Sequence, residues 1–206
     1  MLIDEVIRLM NFDDEDKFYL VEILQRHKDI KDLDKSHNQN NRMIKYYVIR
    51  SENQLRKLYP EIKQLCELFN ARAYMYLNRR SYKKVAMSML KTLVDYSISD
   101  QFYGISHLFV SECGKNESKD GYWLLDIDGT DDESITQRIS GTLTEIAPVG
   151  PKHVHTFRTR NGFHMVVRPF DTRTLDGIKS SAKAQYSAEI ELKKNGMINM
   201  VVPGID

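Results

Sequence analysis

Cysteine is scarce: Cys66 and Cys113 are the only two in 206 residues, and they share no metal-ligand spacing. That excludes a disulfide scaffold and points to reduced thiols in a cytoplasmic setting. No apolar run approaches the roughly 18 residues of a membrane-spanning helix. The N-terminus, Met1-Leu2-Ile3-Asp4-Glu5, is acidic where a secretory signal is basic. Neither a membrane partner nor export is expected. Net charge is also low, +1, which argues against a protein that holds nucleic acid by bulk charge.

Charge is distributed in blocks. Residues 1–34 hold ten acidic and five basic residues, and 42–84 hold eleven basic and three acidic. Residues 111–134 are acidic again, eight against two, and 151–173 carry five basic residues and one acid. An acidic centre between basic segments suits a metal-dependent enzyme acting on a polyanion, and equally describes solvated helix faces.

Leu2, Ile3, Val6, Ile7 and Met10 recur at helical spacing. Phe18, Leu20, Val21, Ile23 and Leu24 are read as a second helix, with Asp13-Asp14-Glu15 as its cap and first turn. Lys35 to Asn41 is polar and reads as a linker. Residues 1–41 are thus expected to be a helical appendage with its linker, and 42–206 the main domain. Within that domain the pattern gives a strand over 43–49, a helix capped by Ser51 to about Phe69, a strand over 71–77, and a helix capped by Ser81. A loop-rich stretch follows, with a strand at 108–112. Then come a strand over 122–127, a helix over 131–147, strands over 153–158 and 163–168, a helix over 174–184, and strands over 188–193 and 197–202. Asn161-Gly162 and Asn195-Gly196 mark hairpin turns. The fold class is α+β: a β-α-β-α unit, then an RRM-like β-α-β-β-α-β unit.

Asp126 and Asp128 close the strand that begins with Tyr122-Trp123-Leu124-Leu125. Residues two apart on a strand share a face, so both carboxylates reach one region of space. They repel unless a cation lies between them, and oxygen-only ligands suit Mg²⁺ or Mn²⁺ rather than zinc. Downstream, Arg160-Asn161-Gly162-Phe163-His164 places a histidine on the later hairpin.

This order of units, with hydrophobic-Asp-x-Asp on the first strand of the second unit and a small-residue-x-His element on its hairpin, resembles the catalytic core of the archaeo-eukaryotic primase superfamily, the primase-polymerases. The resemblance spans about 42–202. It implies that Asp126 and Asp128 bind the divalent metal and that His164 contacts the phosphates of an incoming nucleotide. Arg158, Arg160, Asn161 and Gly162 are expected beside those phosphates, Gly162 allowing backbone to approach the ligand. A third carboxylate completes the family's site on a late strand. Asn199 stands on the last strand here, and Asp171, Glu189 and Glu191 remain open as alternatives. Implied partners are nucleoside triphosphates, a single-stranded DNA or RNA template and a helicase in trans.

Arg79, Arg80, Lys83 and Lys84 flank a helix start and are expected to hold nucleic-acid phosphates. Tyr74 and Tyr76 are candidates for base stacking or for packing. His153 and His155 give a weak zinc signal, with no third ligand close in sequence. Two other functions fit the same residues. One is a primase-fold protein that binds single strands or a replication partner without catalysis, having lost the third ligand. The other is a haloacid-dehalogenase-like phosphatase, suggested by Asp126-Ile127-Asp128-Gly129-Thr130, although a Rossmann-like core should follow that motif.

Overall fold

The computed structural model describes residues 3–26, 41–117 and 120–203. The chain divides into two compact units, one of residues up to Asp120 rejoined after Asn199, the other Gly121–Asn199. The linker expected over 35–41 lies outside the described residues except for Asn41. No helix among the described residues is long and apolar enough to cross a membrane.

The first unit is organised around β1 (Lys17–Gln25), which the sequence presented as a helix. Six consecutive residues, Phe18–Ile23, are buried. A strand covered on both faces shows a continuous apolar run instead of alternation, so periodicity cannot separate it from a buried helix. β1 pairs antiparallel with β2 (Arg42–Ile49) and β3 (Arg72–Tyr76), and the sheet order is β2-β1-β3-β9, with β9 spanning Met197–Val201. β1 therefore separates β2 from β3, and residues 17–25 belong to the centre of a sheet, not to an appendage. Tyr47 on one face reaches Glu61 of α2 (Glu52–Leu68) through its hydroxyl, 3.0 Å. On the other face Phe18 and Leu20 pack with Val85 and Met89 of α3 (Tyr82–Ser99) and with Phe109, Val110 and Cys113 of α4 (Leu108–Lys115). That last segment had strand-like composition. It is helical because Leu108, Glu112 and Cys113 share one buried side, where Glu112 accepts hydrogen bonds from Ser88, Thr92 and Lys115.

β4 (Arg80–Ser81) pairs with the start of β1 and leads into α3. Arg79 and Arg80 prove to be interior. Arg79 donates to Asp120 at 2.9 and 3.1 Å, to Asp13 at 2.5 Å and to the Asn11 carbonyl at 3.2 Å. Arg80 is fully buried over the Tyr76 ring, 4.2 Å away, and donates to the Asn78 carbonyl. The acidic run before β1 does not cap a helix of its own. Asp16 accepts from the Ser81 hydroxyl and the Lys83 amide, so its carboxylate occupies the start of α3 where a phosphate was expected. Those bonds lower the Asp16 pKa, Ser81 contributing most. Removing a buried partner of this kind strands the other. Arg79→Ala should therefore destabilise the protein by about 3 kcal/mol. Thermal denaturation checks this, and a melting temperature unchanged from wild type would return Arg79 to the surface role.

The second unit runs β5 (Trp123–Asp128), α5 (Ser134–Glu145), β6 (His153–Arg158), β7 (Gly162–Val167), α6 (Leu175–Tyr186), β8 (Glu189–Lys193). Its sheet order, β6-β7-β5-β8, is antiparallel throughout, the split β-α-β arrangement. Ile135, Ile139 and Leu143 of α5 and Leu175, Ile178 and Ala182 of α6 pack with Leu125, Ile127, Phe163, Met165, Val167 and Ile190. The expected hairpin between the last two strands does not form. β8 is an edge strand of this sheet, and β9 joins the other one.

Candidate functional site

Because β5 buries its odd-numbered residues against the helices, its even-numbered residues occupy the opposite face. Registry then fixes the neighbours. Asp126 lies directly opposite His164 of β7 and Glu191 of β8, and His164 lies opposite Phe157 of β6. One row on, Asp128 lies opposite Gly162 and Glu189. Asp126, Asp128 and His164, read from separate stretches of sequence, thus share one face.

Asp126 is held from two sides. His164 Nε2 lies 3.3 Å from Oδ1, and Lys193 Nζ lies 2.5 Å from Oδ2 and 3.1 Å from Glu191 Oε2. Burial raises the Asp126 pKa, but the hydrogen bonds from His164 and Lys193 outweigh it and hold the carboxyl at about 2. Lys193 is itself pushed down by burial and, more strongly, up by Asp126 and Glu191. His164 is buried, and its Nδ1 makes no hydrogen bond among the described residues. Lys193 was not anticipated, although alternation along Glu189-Ile190-Glu191-Leu192-Lys193 puts it on the carboxylate face.

A depressed carboxyl pKa makes stability depend on pH. The folded value, about 2, lies below the ordinary aspartate value near 3.9, so the contribution is complete above pH 4 and disappears as pH falls towards 2. Its size is about 2 kcal/mol. Wild type should exceed Asp126→Asn in stability at pH 6 and converge with it near pH 2. Urea unfolding across that range reads the difference, and a gap that ignores pH would dissociate the shift from His164 and Lys193.

The three candidates for a third carboxylate separate cleanly. Asp171 begins the turn into α6, where it caps the Arg173 amide and pairs with the Arg173 guanidinium. Glu191 and Glu189 face Asp126 and Asp128 directly. Like charges set opposite one another destabilise a sheet. Four carboxylates thus occupy adjacent positions on this face, and Lys193 contacts two of them, Asp126 and Glu191. Among the described residues, no three His, Cys, Asp or Glu side chains converge as a formed metal cluster.

A cleft of about 400 Å³ lies where β5 ends, lined by Gly129–Asp131 and Arg158–Gly162. It gathers four of the five expected phosphate-binding residues around the β6–β7 turn, His164 not being in its lining, and the roles of the four differ. Arg158 pairs in register with Phe163, stacks over that ring at 5.8 Å and lies 3.4 Å from Glu133, which puts it on the helix side, away from His164. Arg160 is exposed and has no ion pair among the described residues. Asn161 fixes the loop by accepting the Gly129 amide, 2.8 Å. Gly162 serves the sheet: a Cβ there would lie 1.9 Å from the Ile127 carbonyl oxygen. A hollow of about 480 Å³ lies between α5 and α6; Asp171 lines it, and Asp126, Asp128, Glu189 and Glu191 do not.

Other expected site residues are dispersed. Of the basic group at the start of α3, Lys83 and Lys84 are exposed while Arg79 and Arg80 are not. Tyr76 packs in the core with Phe18 and Leu20, and the Tyr74 hydroxyl meets Arg26. A bulge between His153 and His155 pairs them with Val167 and Val166, neighbours that point to opposite faces, so the two histidines do not form one ligand set. No family model, curated protein or solved structure matches the chain.

Proposed function

We propose that residues 121–199 carry a metal-dependent nucleotidyltransferase site, adding a nucleotide to a 3′ hydroxyl on a single-stranded template in the manner of a primase-polymerase. The observation that carries this reading is the register of β5: Asp126 between His164 and Glu191, and Asp128 beside Glu189, on the sheet face away from α5 and α6. Asp126, Asp128 and Glu191 would hold Mg²⁺ or Mn²⁺, which supplies charge neutralisation at a triphosphate and activation of the attacking hydroxyl. His164 would stand beside the phosphates, holding Asp126 through Nε2, and Arg160 offers a cation at the adjacent cleft.

One observation favours the non-catalytic alternative, a protein that binds single strands or a replication partner. Lys193 already bridges Asp126 and Glu191, as a resident cation would. The phosphatase reading has less support, because β5 has antiparallel neighbours on both sides and no βα repeat follows it. Incorporation of a labelled nucleotide on a single-stranded template, with Mn²⁺ and then with chelator, decides between the first two. Product that needs the metal supports the enzyme. No product, with metal-independent strand binding that falls in Lys83→Glu/Lys84→Glu, assigns the binding protein.

A further inference from the structure

Helix α3 has an inside and an outside, and the outside is wrong for solvent. Tyr82, Val85 and Met89 pack on Phe18 and Leu20, while Ser88 and Thr92 donate to Glu112. The opposite side should be polar. It carries instead Met87 (61% exposed), Leu90 (57%), Val94 (58%) and Ile98 (80%), spaced three, four and four residues apart. Such spacing makes one continuous stripe along the helix.

We infer that this stripe is the contact surface of a homodimer, two α3 helices packing antiparallel about a two-fold axis. Two observations select a second copy as the occupant. The first is area: Met87, Leu90, Val94 and Ile98 expose on the order of 500 Å² per copy, about 1,000 Å² for the pair, the lower end of specific interfaces. The second is self-complementarity. A two-fold axis near the middle of the stripe sets Met87 against Ile98 of the second copy and Leu90 against Val94. The charges follow the same register. Lys91 and Asp95 lie on one flank of the stripe, so antiparallel packing brings Lys91 of each copy beside Asp95 of the other, twice per dimer.

Sedimentation velocity on the full chain tests this over about 5 to 100 µM, where an interface of this size is expected to associate. The 24.1 kDa species should give way to one of twice that mass. Leu90→Glu, at an exposed position, should keep its far-UV circular dichroism and raise the dissociation constant by about tenfold or more. Lys91→Asp and Asp95→Lys should each self-associate weakly, yet dimerise when mixed, because the mixed pair restores both ion pairs. Wild type that remains monomeric at 100 µM overturns the inference, and binding of the stripe to lipid vesicles in its place would name a different occupant. A dimer insensitive to Leu90→Glu, or to the charge exchange, overturns it as well.

Discussion

Asp126→Asn is expected to abolish Mn²⁺-dependent nucleotide incorporation, by about a thousandfold or more, while the protein still folds and still binds single strands. Asparagine preserves the size of the side chain and one acceptor oxygen for Lys193 or His164. It removes the charge that a divalent cation requires, and it leaves Lys193 paired with Glu191 alone. Because Asp126 is ionised down to about pH 2, the wild-type carboxylate is available as a ligand across the whole physiological range. Asp128→Asn should act in the same direction, since Asp128 is exposed on the same face and makes no competing ion pair among the described residues. Glu189→Gln should have a smaller effect than Glu191→Gln, because Glu191 stands opposite the buried aspartate and Glu189 opposite the exposed one. A variant Asp126→Asn that retains a tenth of wild-type incorporation would remove Asp126 from the site. Measuring strand binding alongside activity separates loss of chemistry from loss of fold.

The second large effect is structural. Gly162→Ala should cost about 4 kcal/mol or more, a melting temperature roughly 10 °C lower. The added methyl group would lie 1.9 Å from the Ile127 carbonyl oxygen and 2.9 Å from its carbon. Both are backbone atoms of β5, so no side chain can swing aside, and β7 must move away from β5. That movement disturbs the Asp128–Gly162 pair first and the Asp126–His164 pair two residues further on. Stability and any activity should therefore fall together, in contrast to Asp126→Asn. A Gly162→Ala protein that melts within a degree of wild type would show that the two strands are not so closely apposed.

These two variants divide what local sequence carries from what it does not. The β5 and β7 motifs were legible because each is a short segment with its own periodicity: alternation fixes that Asp126 and Asp128 share a face, and Asn161-Gly162 fixes the hairpin that delivers His164. The elements of the second unit were legible for the same reason, being short and separated by turn residues, although only β6 and β7 pair as neighbours in sequence. Gly162 was legible as a glycine but not in its purpose. The sequence suggests room for a ligand, whereas the space is taken by the carbonyl of a strand more than thirty residues earlier.

The failures have one cause. The strand β1, the interior arginines and the choice among Asp171, Glu189 and Glu191 all depend on partners distant in the chain. Phe18–Ile23 is buried on both faces, Glu22 included, because helices cover both, and no local period reports that. Arg79 reads as a surface cation until Asp13 and Asp120, 66 and 41 residues away, are brought to it. Lys193 and Asp126, 67 residues apart, meet only through the register of β8 on β5. Sequence by itself determined the α+β class and the shared face of Asp126 and Asp128 on β5, and the hairpin turn that precedes His164. Tertiary structure alone decided which charges are satisfied inside and which remain available, because a charge's role is set by the solvent it loses and the partner it gains, and both are supplied by distant chain.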